Sequence, residues 1–236
     1  MIVAVVQARL GSTRFPRKVL ADLAGRPALH HVLLRAKAIP GVDKVCCAIP
    51  EGDRDDPLAV AAEAVDVTVV RGPEHDVLAR YTYAARACDA EVVLRITADC
   101  PALDSEVCGR AVAAYRAGGY DYLSNTDPRS WPKGLDIDVF SRESLERAFA
   151  EATTPYEREH VTPHIRTAPG YRRGNLALPS DECAGWRWTL DYEEDLAFFR
   201  ALYAELEGDP LAASFEMLRA VVEARPDIAA INAHLV

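Results

Sequence analysis

A short apolar segment and the basic loop that follows it constrain the fold more than any other feature of the sequence. Residues 2–6 read Ile-Val-Ala-Val-Val, which has the length and β-branched content of a strand buried on both faces. The glycine, hydroxyl side chains and proline of residues 7–20 end that strand. Strands of this kind belong to parallel sheets covered by helices, so the segment predicts an α/β fold.

The order of the elements that follow also favours an α/β fold. Strand and helix patterns alternate at the spacing of βαβ units, which build a parallel sheet. We predict helices at residues 27–39, 55–63, 77–88, 104–118, 142–151, 192–206 and 214–224, and strands at residues 44–49, 66–70, 91–96, 120–124, 135–140, 172–177 and 186–190. Asp76, Asp104 and Ser141 are the predicted N-caps of three of these helices.

Length and hydrophobicity are those of a globular protein. The 236 residues can form one domain, which we assign to residues 1–236 with a small helical appendage at about 207–236. Half of the residues are hydrophobic, and no apolar run reaches the ~20 residues that cross a bilayer. Met1 leads directly into the first strand, without the basic region of a signal peptide. We therefore expect a cytoplasmic protein with no membrane partner.

The charge and the cysteines argue against several classes of function. A net charge of −9 disfavours binding to nucleic acid or to an anionic membrane surface, because both attract basic patches. The six cysteines show neither a C-x-x-C pair nor the spacing of zinc ligands, and we expect them to be reduced. A cluster of cations in so acidic a chain is therefore informative.

The loop at residues 7–20 concentrates groups that bind anions. Its flexible backbone, hydroxyl donors and positive charges come from Arg9, Gly11, Ser12, Thr13, Arg14, Arg17 and Lys18. Ligands of open α/β sheets bind at the carboxyl ends of the strands, so a nucleoside triphosphate would satisfy these donors together. By composition alone, a solvated basic loop is an equal alternative. The loop has neither the P-loop nor the dinucleotide-binding spacing, which argues against kinases, ATPases and dehydrogenases.

The same loop resembles a known signature. Residues 8–18 (Ala-Arg-Leu-Gly-Ser-Thr-Arg-Phe-Pro-Arg-Lys) are similar to the N-terminal motif of the cytidylyltransferases that make CMP-activated acidic sugars. These are the CMP-Kdo and CMP-acylneuraminate synthetases, and the similarity is greatest to the branch of spore coat polysaccharide biosynthesis protein F. The resemblance implies a nucleotide-diphospho-sugar transferase (Rossmann-like) fold, with three α/β/α layers and a mixed, mainly parallel sheet. It further implies CTP as donor, Mg²⁺ as cofactor with Mn²⁺ as an alternative, and a homodimer.

An acidic residue follows the predicted strand at residues 91–96. Asp99 lies where the ligand edge of the sheet is expected, and Mg²⁺ is usually bound by one or two carboxylates together with substrate phosphates. A helix cap is the alternative role, but Asp104 is better placed for that cap. Residues 97–101 (Thr-Ala-Asp-Cys-Pro) resemble the Gly-Asp-Cys-Pro block of the family, from which Ala98 departs. We therefore predict Asp99 as a metal ligand.

Asp191 has two interpretations. It would be a good N-cap for the helix predicted at residues 192–206, whose first acids suit the positive end of a helix. Residues 187–196 (Arg-Trp-Thr-Leu-Asp-Tyr-Glu-Glu-Asp-Leu) also resemble the closing motif of the family, in which the first aspartate joins the metal site. The resemblance implies Asp191 as the second metal carboxylate and leaves Asp195 as a structural helix acid.

Candidates for binding the acceptor lie in later segments. Asp136 and Asp138 share a face of the predicted strand at residues 135–140, where they would meet substrate hydroxyls or a metal, or form the wet side of an edge strand; we hold these alternatives equal. Residues 158–163 (Arg-Glu-His-Val-Thr-Pro) resemble a family block that contributes to substrate binding or subunit contact. The substrate-binding candidates are Asn125, Asp136, Arg158, Glu159, His160 and Arg187.

The histidines of this segment do not predict a zinc site. His160 and His164 have a metal-compatible spacing for a helix, but Pro163 would bend or break that turn. The order H-E-x-x-H of the metalloproteases is also absent from the segment.

Further nucleotide contacts are assigned from the resemblance. Residues 71–81 are similar to a second block of the spore-coat branch, which implies a nucleotide-side role for Arg71; an ordinary contact at the helix start is the alternative. Arg80 of that block is equally well explained as a surface charge. As in the family, the backbone of residues 8–11 would bind the pyrimidine, with Arg95 and Thr97 beside the base or ribose. The nucleotide-binding candidates are Ala8, Arg9, Leu10, Gly11, Ser12, Thr13, Arg14, Lys18, Arg71, Arg95 and Thr97, and the catalytic candidates are Arg9, Lys18 and Asp99.

These expectations describe a nucleotidyltransferase. The resemblance implies a CTP-dependent cytidylyltransferase that forms a CMP-activated acidic sugar, or a related acid such as a phosphonate, and releases pyrophosphate. One alternative is a glycosyltransferase of the same fold type that consumes a nucleotide-sugar, for which Asp136-x-Asp138 is a weak metal-motif match. The other is a catalytically silent nucleotide-binding module, which predicts a lost cation or metal carboxylate, whereas Lys18, Asp99 and Asp191 are all present.

Overall fold

The computed structural model describes residues 1–235 and is built around one large sheet. Its strands are β1 (Ile2–Gln7), β2 (Asp22–Leu23), β3 (Arg26–Pro27), β4 (Lys44–Pro50), β5 (Thr68–Gly72), β6 (Val92–Thr97), β7 (Tyr122–Ser124), β8 (Asp138–Ser141) and β9 (Arg173–Asn175). Its helices are α1 (Ala28–Lys37), α2 (Asp56–Glu63), α3 (Val77–Ala87), α4 (Ser105–Gly118), α5 (Arg142–Glu151), α6 (Pro155–His160), α7 (Pro163–Thr167), α8 (Glu193–Ala204), α9 (Phe215–Ala224) and α10 (Pro226–Ala230).

The large sheet is mixed and mainly parallel. Its strand order is β5-β4-β1-β6-β8-β7-β9, and the first four strands in this order run parallel to one another. β8 is antiparallel to both of its neighbours, and β7 and β9 are parallel. β2 and β3 form a separate two-stranded ribbon. The mixed, mainly parallel sheet agrees with the predicted fold.

Both faces of the sheet are covered by helices. The side chains of β1 alternate between two apolar clusters, with Ile2, Ala4 and Val6 on one face and Val3 and Val5 on the other. α1, α2, α4, α8, α9 and α10 contribute to the first cluster, and α3, α5 and α7 contribute to the second. Burial on both faces explains why the first strand has an unbroken apolar sequence rather than an alternating one.

The helix starts follow the predicted caps. The carboxylates of Asp76 and Asp104 accept the backbone N–H groups of Ala79 and Val107, and the hydroxyl of Ser141 accepts that of Ser144. Because each cap satisfies a donor that the helix itself leaves unpaired, these starts were readable from the sequence.

Two local predictions and one alternative interpretation need correction. Residues 186–190 are not a strand, because the segment makes only a single bridge, between Lys133 and Arg187. Gly134 has a φ of 110°, and its lack of a side chain leaves room for the backbone of Trp188. β8 begins at Asp138 rather than residue 135 and lies inside the sheet, so it is not an edge strand. Asp191 does not cap α8, since Tyr192 is the N-cap.

The break predicted at Pro163 is present. α6 ends at His160, Val161 takes a positive φ of 70°, and α7 starts at Pro163. The two histidines therefore lie on different helices. Residues 1–235 also contain no helix of the length and apolar character that a bilayer crossing requires.

Candidate active site

The candidate site lies at the carboxyl ends of the parallel strands. β1 and β6 are adjacent and parallel, with Gln7 opposite Thr97, so the loops that follow the two strands leave the sheet side by side. The backbone N–H of Ala98 donates to the carbonyl of Gln7 at 3.0 Å and extends this contact into the loops. The basic loop and Asp99 are thereby placed at one edge of the sheet, as parallel topology requires.

Lys18 joins two carboxylates that are distant in the sequence. Its Nζ donates to Asp99 Oδ2 and to Asp191 Oδ1, each at 2.7 Å. Arg14 Nη2 also donates to Asp191 Oδ1, at 2.8 Å. We call Lys18, Asp99 and Asp191 the lysine–aspartate cluster. The side chains of Lys18 and Asp191 are 10% and 11% exposed, whereas that of Asp99 is 28% exposed and faces the open side.

A buried support holds Asp191 in this position. The backbone N–H of Leu190 donates to the carbonyl of Asp99 at 2.8 Å, which fixes the two carboxylate-bearing segments against each other. Arg187 Nη2 donates to Asp191 Oδ2 at 3.2 Å and to Asp195 Oδ2 at 2.9 Å. Asp195 in turn accepts the backbone N–H groups that open α8. Asp195 is therefore a structural residue of the helix start.

The electrostatics favour the charged forms within the cluster. Burial lowers the pKa of Lys18, but the two aspartates outweigh that effect and raise it above its ordinary value. Burial raises the pKa of Asp99, but the charge and hydrogen bond of Lys18 reverse the balance and lower it below its ordinary value. An ionised lysine and an ionised Asp99 near neutral pH follow from these shifts.

A cavity of about 280 Å³ opens beside the cluster. We call it the first cavity; it is lined by Gln7, Ala8, Arg9, Gly11, Ser12, Thr13, Arg14, Lys18, Val19, Arg80, Thr97, Ala98, Asp99 and Asp191. Four of its side chains are cationic and two are anionic, in a chain whose net charge is −9. The cavity is therefore a local site for anions on an acidic protein.

The carboxylates of the cluster suit a hard divalent cation. Within residues 1–235, no three histidine, cysteine or acidic side chains are placed so that they could hold a metal ion together, so a cage made only of protein side chains is absent from this part of the chain. Mg²⁺ does not need one, because it commonly takes one or two carboxylates with substrate phosphates and water. Lys18 engages Asp99 Oδ2 at 2.7 Å, whereas the thiol of Cys100 lies 3.8 Å from Oδ1, so Oδ1 is the less strongly engaged oxygen. The donor set therefore fits the ion.

A second cavity of about 250 Å³ lies on the far side of β6. It is lined by Arg95, Thr126, Arg129, Asp136, Asp138, Tyr156, His160, Thr162, Pro163 and Arg166. Its arginines are matched to acids: Arg95 pairs with Asp138 at 2.9 Å, and both terminal nitrogens of Arg129 donate to Asp136. Tyr122 also donates to Asp138. The cavity thus offers both donors and acceptors.

The two cavities are neighbours. Arg95 and Thr97 are two residues apart on β6, and Arg95 lines the second cavity whereas Thr97 lines the first. Arg9 of the first cavity lies 3.7 Å from Glu159, the residue before His160 of the second. A ligand in one cavity can therefore approach a ligand in the other.

Several predicted residues lie outside both cavities. Arg71 donates to Asp56 and to the carbonyls of Pro50 and Gly52, away from the basic loop. Asn125 is fully buried, where its amide joins residues 135 and 137. The side chain of Leu10 is buried in the first apolar cluster.

Two further predicted residues have structural partners. Arg158 lies 3.4 Å from Asp76 and over the ring of Phe149. Arg187 is buried behind Asp191 and does not reach either cavity. The predicted roles of these residues in binding remain predictions, and their positions give them no direct route to a ligand in either cavity.

The cavities also contain residues that the sequence analysis missed. Arg80 is 1% exposed and lines the first cavity, so it is not a surface charge. Gln7 lines the same cavity as the last residue of β1. Arg129 and Arg166 line the second cavity from a loop and a short helix. Among them, Gln7 had a recognisable signal, because it ends a strand at the ligand edge.

The fold and the polar edge of the sheet are those of an α/β nucleotide-binding enzyme. The cytidylyltransferase family model matches residues 3–219, and the chain therefore belongs to the cytidylyltransferase family, which is a family of nucleotidyltransferases.

Individual relatives agree with this assignment. Spore coat polysaccharide biosynthesis protein SpsF of Bacillus subtilis is 30% identical over 97% of this chain and 96% of that protein. A 3-deoxy-manno-octulosonate cytidylyltransferase of an Anaeromyxobacter species is 31% identical over 85% of this chain and 84% of that protein. A solved cytidylyltransferase of Leptospira borgpetersenii superposes with a TM-score of 0.91, at 28% identity over 97% of this chain and 96% of that one. The predicted family and fold are confirmed.

Proposed function

We propose that the chain is a CTP-dependent cytidylyltransferase that activates a small acidic acceptor. An oxygen of the acceptor attacks the α-phosphorus of CTP, a new phosphorus–oxygen bond forms, and the bond to the β-phosphate oxygen breaks with departure of pyrophosphate. The observation that carries the proposal is the lysine–aspartate cluster beside a basic loop, in a member of the cytidylyltransferase family. Two acids held by one lysine at the mouth of an anion site suit phosphate chemistry.

The residues of the first cavity have distinct roles in this reaction. Lys18, Arg9 and Arg14 hold the triphosphate and stabilise the charge that develops as pyrophosphate leaves. Asp99 and Asp191 would hold Mg²⁺, or alternatively Mn²⁺, which when bound neutralises and orients the phosphate oxygens. Arg187 positions Asp191 from behind, because its guanidinium bridges Asp191 and Asp195. Reaction depends mainly on this positioning and charge stabilisation.

The acceptor occupies the second cavity, next to the α-phosphate end of the first. His160 and Asp136 line that cavity, and its arginine–aspartate pairs give it both donors and acceptors. Glu159 joins the two sites through Arg9. If the attacking oxygen is already ionised, as in a carboxylate or a phosphonate, the reaction needs no dedicated base. The acceptor class is an acidic sugar or a related acid such as a phosphonate.

The alternatives are less well supported. A glycosyltransferase would use Asp136 and Asp138 as a metal motif, but an arginine engages each of these carboxylates. A silent module would tolerate the loss of a cation or of a metal carboxylate, yet Lys18 is present and contacts both Asp99 and Asp191. A homodimer and a cytoplasmic location remain predictions, and light scattering on the purified protein tests the first.

A substrate panel tests the proposed function. Pyrophosphate release is measured with Mg²⁺ and each of CTP, UTP, ATP and GTP, against sugar acids, sugar phosphates and phosphonates. We expect release with CTP and one acidic acceptor. Tight binding of CTP without release across the panel would favour a silent module, and a protein that binds no CTP would contradict the proposal. Release of pyrophosphate that requires another nucleotide would contradict the assignment of CTP.

A further inference from the structure

The C-terminal segment contacts the buried support of Asp191 through one polar side chain. This segment, residues 215–235, comprises α9, α10 and a final 3₁₀ turn. Asn232 lies between α10 and that turn and is 2% exposed. Its Nδ2 donates to Asp195 Oδ1 at 2.9 Å and to the backbone carbonyl of Arg187 at 3.1 Å. One amide group therefore joins two residues that are distant from it in the sequence.

The two partners of Asn232 are the ends of the segment that contains Asp191. Residues 186–190 make one bridge and no ladder, so the sheet does not fix this segment along its length. Asp195 Oδ2 accepts the backbone N–H of Asp191 at 2.8 Å, and Arg187 Nη2 donates to Asp191 Oδ2 at 3.2 Å. By holding both Arg187 and Asp195, Asn232 closes residues 187–195 into a loop with Asp191 in its middle.

The chemistry of an amide suits this position. Burial raises the pKa of Asp195, but the hydrogen bonds of Arg187 and Asn232 outweigh that effect and lower it below its ordinary value. Asp195 is therefore an ionised acceptor, and its side chain is fully buried. Asn232 has two N–H donors on one nitrogen, which satisfy this carboxylate and the carbonyl of Arg187 together. A leucine would offer no donor, and an aspartate would place a second carboxylate against the first.

The C-terminal segment is itself anchored to the core. Phe215, Leu218 and Val222 of α9 and Ile228 of α10 are buried in the first apolar cluster. The backbone N–H of Phe215 donates to Asp104 Oδ2 at 2.5 Å, and Asp104 is also the N-cap of α4. Because the elements before it are packed in this way, Asn232 presents its amide from a fixed position.

We propose that Asn232 is a positioning residue for Asp191, so that the C-terminal segment completes the metal-binding side of the active site. Asn232 acts through Arg187 and Asp195 and touches neither substrate nor metal. The inference rests on the proposed function and adds to it a residue beyond position 219, where the match to the family model ends.

The two oxygens of Asp191 explain why such a support is needed. Lys18 and Arg14 both donate to Oδ1, whereas Arg187 holds Oδ2. Without Asn232, the segment that supplies Arg187 and Asp195 is less constrained, and the two cations of the basic loop draw the carboxylate towards them. Asp191 is then less available to a divalent cation, while the cations that hold phosphate keep their places.

Two substitutions at Asn232 test the inference without turnover. Asn232→Asp keeps the shape of the side chain and replaces its donors with acceptors, and Asn232→Leu removes the donors at similar volume. His234→Ala is the matched control, because His234 is exposed and belongs to the turn that follows Asn232. The affinity for Mn²⁺ is measured by electron paramagnetic resonance in the presence of CTP and without acceptor. Amide hydrogen exchange is measured on the protein without ligands, together with thermal unfolding.

We expect the Kd for Mn²⁺ to rise by roughly tenfold in Asn232→Asp and by a smaller factor in Asn232→Leu. The amides of Asp191 and Tyr192, which donate to Asp195, should exchange faster in both variants. The amide of Ala79, which donates to the cap Asp76 of α3, should keep its wild-type rate. His234→Ala should match the wild type in every measurement.

A positioning role requires both local changes. A folded variant that keeps the wild-type affinity for Mn²⁺, or the wild-type exchange of residues 187–195, would overturn the inference. Exchange that is equally faster at Ala79 would show a general loss of stability and would also overturn it. If Asn232→Asp does not fold, Asn232→Leu decides by the same criteria.

The outcome also separates this inference from the proposed function. A wild-type protein that binds CTP and Mn²⁺, with unchanged affinities in the folded variants, overturns the inference alone. A wild-type protein that binds no CTP overturns the proposed function and, with it, the role of Asn232 in the reaction.

Discussion

The two cavities differ in how their cations are matched with acids. In the second cavity, Arg95 and Arg129 each have an aspartate of their own. In the first, one lysine is shared by two aspartates, Arg9 has only a 3.7 Å contact with an exposed glutamate, and Arg80 has no acidic partner among residues 1–235. The first cavity therefore contains cations that are not fully paired, whereas each arginine of the second has an aspartate partner of its own, that of Arg166 lying outside the lining.

This difference indicates two kinds of ligand. Cationic side chains that are not fully paired with acids suit a polyanion, because the phosphate oxygens of the ligand can accept hydrogen bonds from their unpaired donors. Matched arginine–aspartate pairs suit a smaller molecule with hydroxyl groups beside its acid, because the pairs keep both donors and acceptors at the surface of the cavity. The contrast supports the assignment of CTP to the first cavity and of the acceptor to the second.

The largest expected effect comes from Asp99→Asn. The substitution keeps the shape of the side chain but removes a negative charge from the cluster. We expect kcat to fall by roughly 10³-fold, because the metal ion that binds the phosphates would lose one of its two carboxylate ligands. Steady-state pyrophosphate release measures the change. Asp181→Asn, an exposed site, is the matched control. Near-normal turnover by a folded Asp99→Asn variant would mean that the metal assignment is wrong.

Lys18→Ala should act on binding of the nucleotide. Removal of the ammonium leaves Asp99 and Asp191 to repel the triphosphate, and we expect the Kd for CTP to rise by about 100-fold. Calorimetry measures the affinity, with Lys37→Ala as the control because Lys37 is exposed and bonds only a backbone carbonyl. An affinity within threefold of the wild type would contradict the role of the cluster in holding phosphate.

Arg129→Ala addresses the second cavity. Loss of its paired donors to Asp136 should raise the KM for the acceptor by about tenfold and leave the Kd for CTP unchanged. Initial rates over a range of acceptor concentrations test this, with the exposed Arg172→Ala as control. A tenfold rise in the Kd for CTP as well would contradict the assignment of CTP and the acceptor to separate cavities.

Arg71→Ala should have the smallest effect. Its guanidinium is engaged by Asp56 and two carbonyls outside both cavities, so we expect the Kd for CTP to change by less than about threefold. The same calorimetric titration gives the answer. A tenfold loss would show that Arg71 moves to the nucleotide on binding and would restore the role implied by the family resemblance.

The sequence was sufficient for the architecture and for the meeting of the basic loop with Asp99 at one edge of the sheet. Strand β1, the helix caps at Asp76 and Asp104, and the parallel order all have local signals in composition and spacing. Because parallel strands share a carboxyl edge, the loop after β1 and Asp99 after β6 were expected to meet. The structure places Lys18 and Asp99 in contact, 81 residues apart.

The roles of several individual residues could not be predicted from the sequence, because they depend on side-chain direction and long-range packing. Arg80 has the sequence context of an exposed helical arginine, and burial against Gly72 is visible only in three dimensions. Arg187 and Asn125 are polar residues near the site that satisfy other buried groups. The segment at residues 186–190 has a strand-like composition but packs around Gly134 without a ladder. Propensity cannot distinguish these outcomes, since tertiary contacts decide them.

A structure of the protein with CTP and Mg²⁺ tests the central claim most directly. The account predicts the triphosphate in the first cavity, with its oxygens within hydrogen-bond distance of Lys18 and Arg14, and the second cavity free for the acceptor. A triphosphate held by Arg95, Arg129 or Arg166 in the second cavity would contradict the account, because the cavity whose arginines are paired with aspartates would then be the nucleotide site.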